Sequence, residues 1–362
     1  MRSTILLLAT IAFATSVAAQ TQQQGKTKKP KKEMPDQVDL VPHEAAKIFT
    51  AEEPLQFTLT ANMGRLRKDK QANAPWRAAT ITVADSAGGN VEIPLKVKTR
   101  GIWRLNYCDF PPIRLDFAKS TVKHTLFSKL DKPKLVTHCR DNDEYEQYVL
   151  QEMQLYRIYN LLTPYSHRIR LARVTYADSG SGKIVATRYG FLEEEPQALA
   201  HRVGGMLAKQ QGAGAGDLDP SAAATFGVFQ YLIGNTDWSI AGLHNVELIA
   251  TQTDHVPIAH DFDFAGAVNA RYATVDPRLS IRRVRDRLFR GYCLPDSVYV
   301  PVFALFKAKK DSIYALYHDS IGGLLKGDRA KETLSYFDEF YETINKPRDA
   351  RSEIMERCIN RQ

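Results

Sequence analysis

Apolar and polar residues alternate with a period of two through much of the first half of this chain. In "LQFTLT" (55–60), Leu55, Phe57 and Leu59 share one face, the spacing of a strand with one buried side. "ATITVADSAGGNVEIPLKVKTRG" predicts two strands joined through Gly88 and Gly89. "PIRLDF" and "KLVTHC" are shorter candidates, and "IRLARVTY" with "IVATRYGFLEE" form a strand pair around "DSGSGK". Helical spacing takes over from Asp143 to Leu162, where Tyr145, Tyr148, Val149, Leu155, Tyr159 and Leu162 make one stripe that also includes Glu152. A Gly/Ala linker, "GAGAGDLDP", precedes the strongly apolar helix "SAAATFGVFQYLIGN", and beyond Pro295 the pattern is helical to the end. The order is sheet, helix, sheet, then mostly helix, without an internal repeat. This predicts an α+β protein, sheet-rich over 46–195 and helical over 196–362.

The N-terminus departs from this pattern. "MRSTILLLATIAFATSVAAQ" has a cation at Arg2, a short apolar run and small residues before Gln20. That is the layout of a secretory signal cleaved after Ala19, too short in its apolar part for a membrane anchor. Residues 20–45, rich in Gln, Lys and Pro, read as a disordered basic linker. Export changes the meaning of Cys108, Cys139, Cys293 and Cys358, which lack CxxC spacing. An even number in an oxidising compartment predicts two disulfides. The favoured pairing is Cys108–Cys139 with Cys293–Cys358, since each pair lies within one stretch of chain.

The chain has 362 residues and a formal net charge of +8. Part of the excess lies in "GKTKKPKKEMP" and part in "RLSIRRVRDRLFR" (278–290). A basic balance permits anionic ligands, but no aromatic-interleaved repeat or nucleic-acid motif accompanies it. Nucleic acid is therefore not an expected partner, and neither is a membrane once the signal is removed.

The chemistry concentrates in "LIGNTDWSIAGLHNVELI" and "PIAHDFDFAG", where acids interrupt segments that otherwise read as core. "NVELIA…HVPIA" predicts a hairpin that brings Asn245 near Asp261. Asp and Asn oxygens suit magnesium or manganese better than zinc. Asp237 would then accept a proton from an attacking hydroxyl. Glu152, on a buried stripe, needs a cation. A competing reading uses His244, His255 and His260 with the Asp pair as the metal site of a hydrolase.

"GNTD…HN" followed by "HDFDFAG" resembles the catalytic segment of the spore-coat CotH kinase family and, more distantly, of the HipA-like kinases. The likeness extends upstream through "VKTRGIWRLNYCDFPPIRLDF" and "YGFLEEEP", covering about 95–270. It implies a two-lobed, protein-kinase-like fold and an exported phosphotransferase that uses ATP with Mg or Mn. Asp237 would be the catalytic acid/base, and Asn245, Asp261 and Asp263 the metal residues. Arg100, Arg104, Arg114, Lys134, Glu152 and Glu193 would serve the nucleotide, with Arg114 or Lys134 pairing Glu152. The acceptor is open: a protein hydroxyl, a small metabolite or none at all. Asp237 and Asn245 stand further apart than in that family, and no Walker or GxGxxG motif is present. A catalytically silent binding relative is the alternative that this spacing favours.

Overall fold

The computed structural model describes residues 42–85 and 88–360. The expected signal sequence, its cleavage site and most of the expected basic linker lie outside them. The alternating segments form strands β1 (Leu55–Ala61), β2 (Arg77–Ala84), β3 (Asn90–Thr99), β4 (Ile113–Phe117), β5 (Lys134–Val136), β6 (Ile169–Asp178) and β7 (Ile184–Glu193). Short helices α1 (Met63–Lys68), α2 (Trp103–Tyr107) and α3 (Lys119–Val122) sit in the connections. The strands close into a barrel in the order β1-β2-β3-β4-β5-β7-β6.

This closure overturns the expectation of a kinase-like, two-lobed arrangement with an open sheet. β1 pairs with β2 antiparallel and with β6 parallel, from Leu55 opposite Ala172 to Ala61 opposite Asp178. An open sheet and a closed barrel have the same period-two signature, so alternation cannot separate them. What decides is whether β1 and β6 reach each other, a contact between segments more than a hundred positions apart. Closure leaves no unpaired edge. Leu59, Ile81, Val97, Leu115, Leu135, Val174 and Leu192 fill its interior.

Helix α4 (Asp143–Leu162) has the bounds that its periodicity predicts. Asn142 caps its start by accepting from Tyr145 N at 3.0 Å. The helix packs with α6 (Pro220–Ile233), α7 (Asp296–Ala315) and α8 (Arg329–Asn345) in one apolar core, which Val136 and Phe191 join from the outer face of the barrel. A further helix, α5 (Pro196–Arg202), leads into a small sheet of order β10-β9-β8, made of β8 (Met206–Ala208), β9 (Val246–Ala250) and β10 (His255–Ala259). The β9–β10 pair is the predicted hairpin, with Val246 opposite Ala259. Helix α6 stops at Gly234, whose φ of 64° is the left-handed cap that glycine adopts without strain. A Cβ there would also lie 1.9 Å from the Tyr336 hydroxyl.

Both disulfides join as expected, Cys108–Cys139 and Cys293–Cys358, and no described cysteine is free. The first anchors α2, a five-residue helix too short to persist alone. Among the described residues no helix is long and apolar enough to cross a membrane. Thiol titration of the denatured, unreduced protein should find no free thiol. Replacing Cys293 and Cys358 by serine frees a loop of 65 residues and should lower the unfolding free energy by about 4 kcal/mol in urea melts.

Candidate functional site

Arg104 is the centre of the site. Its guanidinium lies 2.6 Å from Asp263, 3.0 Å from Asp261 and 3.6 Å from Glu152. Glu152 therefore finds the cation its buried position demands, but that cation is Arg104 rather than Arg114 or Lys134. A pattern of periods cannot rank the three, because α2 is fixed over α4 by aromatic packing. Trp103 stacks on Tyr107 at 4.4 Å and meets Phe264 edge-on at 5.5 Å. Through these rings α2 is held against the "DFDF" segment, with Arg104 turned inward.

The segment itself is tied to α4. Tyr156 Oη accepts the Asp261 amide at 2.8 Å, and Glu152 Oε1 accepts the Phe262 amide at 3.3 Å. These two acceptors, one helical turn apart, hold Asp261 at a φ of 61°. Such a conformation is uncommon outside glycine and costs energy that the surrounding contacts must offset.

Glu152, Asp261 and Asp263 offer ligand oxygens within 4.8 Å of one another. Three carboxylates share one guanidinium, so the cluster carries more negative charge than its partner neutralises. The titration directions follow. Burial pushes Asp263 up to about 7, against the pull of Arg104 and with added repulsion from Asp261. Burial likewise raises Glu152 well above its ordinary value. Asp261 goes the other way: despite burial, Arg104 and then Arg100 hold it well below the usual carboxylate range. A proton on Asp263 can be shared with Asp261, to which it is hydrogen-bonded. Hard oxygens in excess of local positive charge fit a magnesium or manganese ion.

Asp237 sits beyond Gly234 in a turn shaped by its neighbour. Asn235 Oδ1 accepts the Asp237 amide at 3.0 Å, and the Asn235 carbonyl accepts Trp238 Nε1 at 2.9 Å. The Asp237 carboxylate is partly exposed and engaged at both oxygens, with His244 Nε2 at 2.8 Å and Asn245 Nδ2 at 3.1 Å. Asn245 also has a positive φ, 51°, and its carbonyl accepts the His260 amide at 3.2 Å. One hairpin thus delivers Asn245 from one end and Asp261 from the other. The Asn245 amide nitrogen is directed to Asp237, while Glu152, not expected as a ligand, completes the carboxylate trio with Asp261 and Asp263.

Of the predicted nucleotide residues, Arg104 and Glu152 belong to the acidic cluster, Arg114, Lys134 and Glu193 lie on the outer face of the barrel, and Arg100 directly follows β3. Arg114 pairs in register with Lys134, and Lys134 with Glu193. Lys134 and Glu193 form a buried ion pair at 2.5 Å. Arg100 and Arg114 close no ion pair among the described residues, and the buried Nε of Arg100 has no hydrogen-bond partner. Burial and then the nearby Arg100 lower the Arg114 pKa. Both Arg100 and Lys134 act on the Asp261 carboxylate electrostatically.

Sequence reasoning missed His167 and Glu247. His167 Nε2 donates to the Glu247 carboxylate, 2.7 Å away, and its Nδ1 meets the Glu194 carbonyl at 2.8 Å. Glu247 lies 3.8 Å from His260. Glu247 interrupts the apolar "VELIA", the same signal that singled out Glu152, whereas His167 carries no pattern. The three histidines of the hydrolase reading do not gather with the Asp pair into one ligand group among the described residues. His244 is on Asp237, His260 faces Glu247, and His255 meets the Asp217 carbonyl at the other end of β10. Five residue steps along β10 take the chain from His255 to His260, about 17 Å. Compared with models of known protein families and with curated proteins, the chain matches none.

Because Asp263 is raised above its unfolded value, the folded state holds its proton more tightly. Its contribution to stability is complete below about pH 4 and lost as pH rises through about 7. His138 and His260, pushed down to about 4 by burial, act in the opposite sense over part of that window. The difference between variants isolates the carboxyl. Asp263→Asn should make the slope of unfolding free energy against pH more positive between pH 4 and 7, by up to ~1.4 kcal/mol per unit, in chelator. An unchanged slope would place the proton elsewhere.

Proposed function

We propose that the chain is an exported phosphotransferase that moves the γ-phosphoryl group of a metal-bound nucleotide, ATP with Mg or Mn, to a hydroxyl acceptor. The reading concerns chemistry alone, since the closed barrel rules out the kinase-like lobe arrangement. The observation that carries it is the hairpin linkage: Asp237 is bonded to Asn245, and Asn245 to the residue preceding Asp261. A partly exposed carboxylate is thereby tied through one hairpin to a carboxylate trio in which Glu152 and Asp263 are buried and Asp261 is partly exposed. Two disulfides support export.

Asp261, Asp263 and Glu152 would hold the metal, which neutralises phosphate charge when bound. Arg100, which acts on Asp261, and Arg114 next to it close no ion pair among the described residues and would take the phosphate oxygens. Lys134 is committed to Glu193 and orients the wall between them. Asp237 would accept the acceptor's proton as its oxygen attacks phosphorus and the β–γ bridging bond breaks, releasing the diphosphate. Such a transfer depends on placement more than on a strong base. His244 and Asn245 hold the Asp237 carboxylate for that role.

Two variants test the assignment. Asp261→Ala should abolish the thermal stabilisation that Mg-ATP or Mn-ATP confers on the wild type. Asp237→Asn should keep that stabilisation while label transfer from γ-labelled ATP falls by at least a hundredfold. Equal transfer by wild type and Asp237→Asn would remove Asp237 from the mechanism. Nucleotide binding by the wild type without transfer under Mg or Mn would make the chain a silent binding protein.

A further inference from the structure

The arginine-rich stretch from Arg278 to Arg290 contains no helix or strand, yet its path is fixed. Arg290 donates to the carbonyls of Thr236 and Trp238, on either side of Asp237. Tyr336 Oη donates to the Arg285 carbonyl at 3.1 Å. A Cβ on Gly266, three residues past Asp263, would lie 2.8 Å from the Val284 carbonyl. The segment therefore runs from the "DFDFAG" element to the backbone that carries Asp237. It borders a cavity of about 720 Å³ lined by Arg271, Arg283, Arg285, Asn269, Glu144 and Glu339, a volume within the usual range for ligand sites.

Its arginines divide into two groups. Arg287 and Arg290 turn inward and hold main-chain carbonyls. Arg278 and Arg283, like Arg271 just ahead of the segment, are exposed, and among the described residues their ion pairs are those of Arg271 to Glu144, Arg278 to Asp276 and Arg283 to Asp286. Exposed pairs hold weakly and exchange readily for another anion. Arg282 is exposed and closes no ion pair among the described residues. Glu144 and Glu339, the carboxylates at the cavity, are already met by Arg271 and Arg287.

We propose that this cavity and the Arg278–Arg290 segment dock an acidic polypeptide, presenting its hydroxyl residue to Asp237. The inference rests on the phosphotransferase reading for the fate of that hydroxyl, though not for the docking itself. A nucleic-acid strand fits the surface less well, because strands of that kind stack on open aromatic faces. Here Tyr336 lies under Arg285 and Arg287, and Tyr148 under Arg329. A second copy of this chain, at a net charge of +8, is also a poor match.

The test uses the full secreted protein and a synthetic peptide of alternating Glu, Asp and Ser, with a Lys/Ser peptide and a single-stranded DNA oligomer as comparators. The wild type should bind the acidic peptide, with affinity falling as salt rises, and bind the comparators at least tenfold more weakly. Arg282→Glu with Arg283→Glu should weaken acidic-peptide binding at least tenfold. Lys123→Glu with Lys307→Glu makes the same charge change on other faces and should alter it less than twofold. Equal weakening by both double variants, or DNA binding as tight as the peptide's, would overturn the proposal. Asp261→Ala should retain peptide affinity. Loss of nucleotide response with peptide docking intact, or the reverse, thus shows separately which of the two readings fails.

Discussion

The structure depends on one buried guanidinium. Among the described residues Arg104 is the one cation paired with Glu152 and Asp263, and it pairs Asp261 as well. Removing it would leave the buried Glu152 and Asp263 carboxylates facing each other and Asp261 without a cation, a cost of several kcal/mol for each buried charge not neutralised by protonation. The same contact fastens α2 from the barrel's connections to α4 and to the segment after β10. Disulfide Cys108–Cys139 and the Trp103 ring stack keep that short helix in place. Geometry at Asp261 is thus determined from three directions at once.

That redundancy has a consequence for chemistry. A cluster with three acids and one base is electrostatically incomplete, and its excess charge appears as raised values for Asp263 and Glu152 beside a depressed one for Asp261. Carboxyls pushed apart in this way are a mark of sites that bind cations or handle protons, though structural networks share the property. Here the mark coincides with strained backbone at Asp261 and Asn245. Both strained residues terminate the same hairpin, so the packing that holds one helps to hold the other.

A second charged layer lies behind the first. Lys134, Glu193, His167, Glu247 and His260 connect the outer face of the barrel to the β9–β10 hairpin. His167 is raised in spite of its burial, mainly because of Glu247, and Glu247 is held low by His167 and His260. This layer joins the two cores electrostatically where their apolar contacts end. Arg100 and Arg114 lie at its border and, unlike Lys134, close no ion pair among the described residues.

The sequence by itself determined the elements and the residues under constraint. Period-two runs became β1 to β7, α4 kept its predicted bounds, the hairpin formed, and both disulfides paired as expected. An acid in an apolar stripe must be paired, so the burial of Glu152 was readable before its partner was. Tertiary structure alone decided which cation that partner is, because Arg104, Arg114 and Lys134 are equivalent in a linear pattern. It also decided that the sheet closes, since β1 and β6 meet only through a contact across most of the barrel's length of chain. The gathering of Glu152 with Asp261 and Asp263, and of His167 with Glu247, has the same cause. Each joins segments far apart in the chain, and local spacing holds no information about which distant segments packing will bring together.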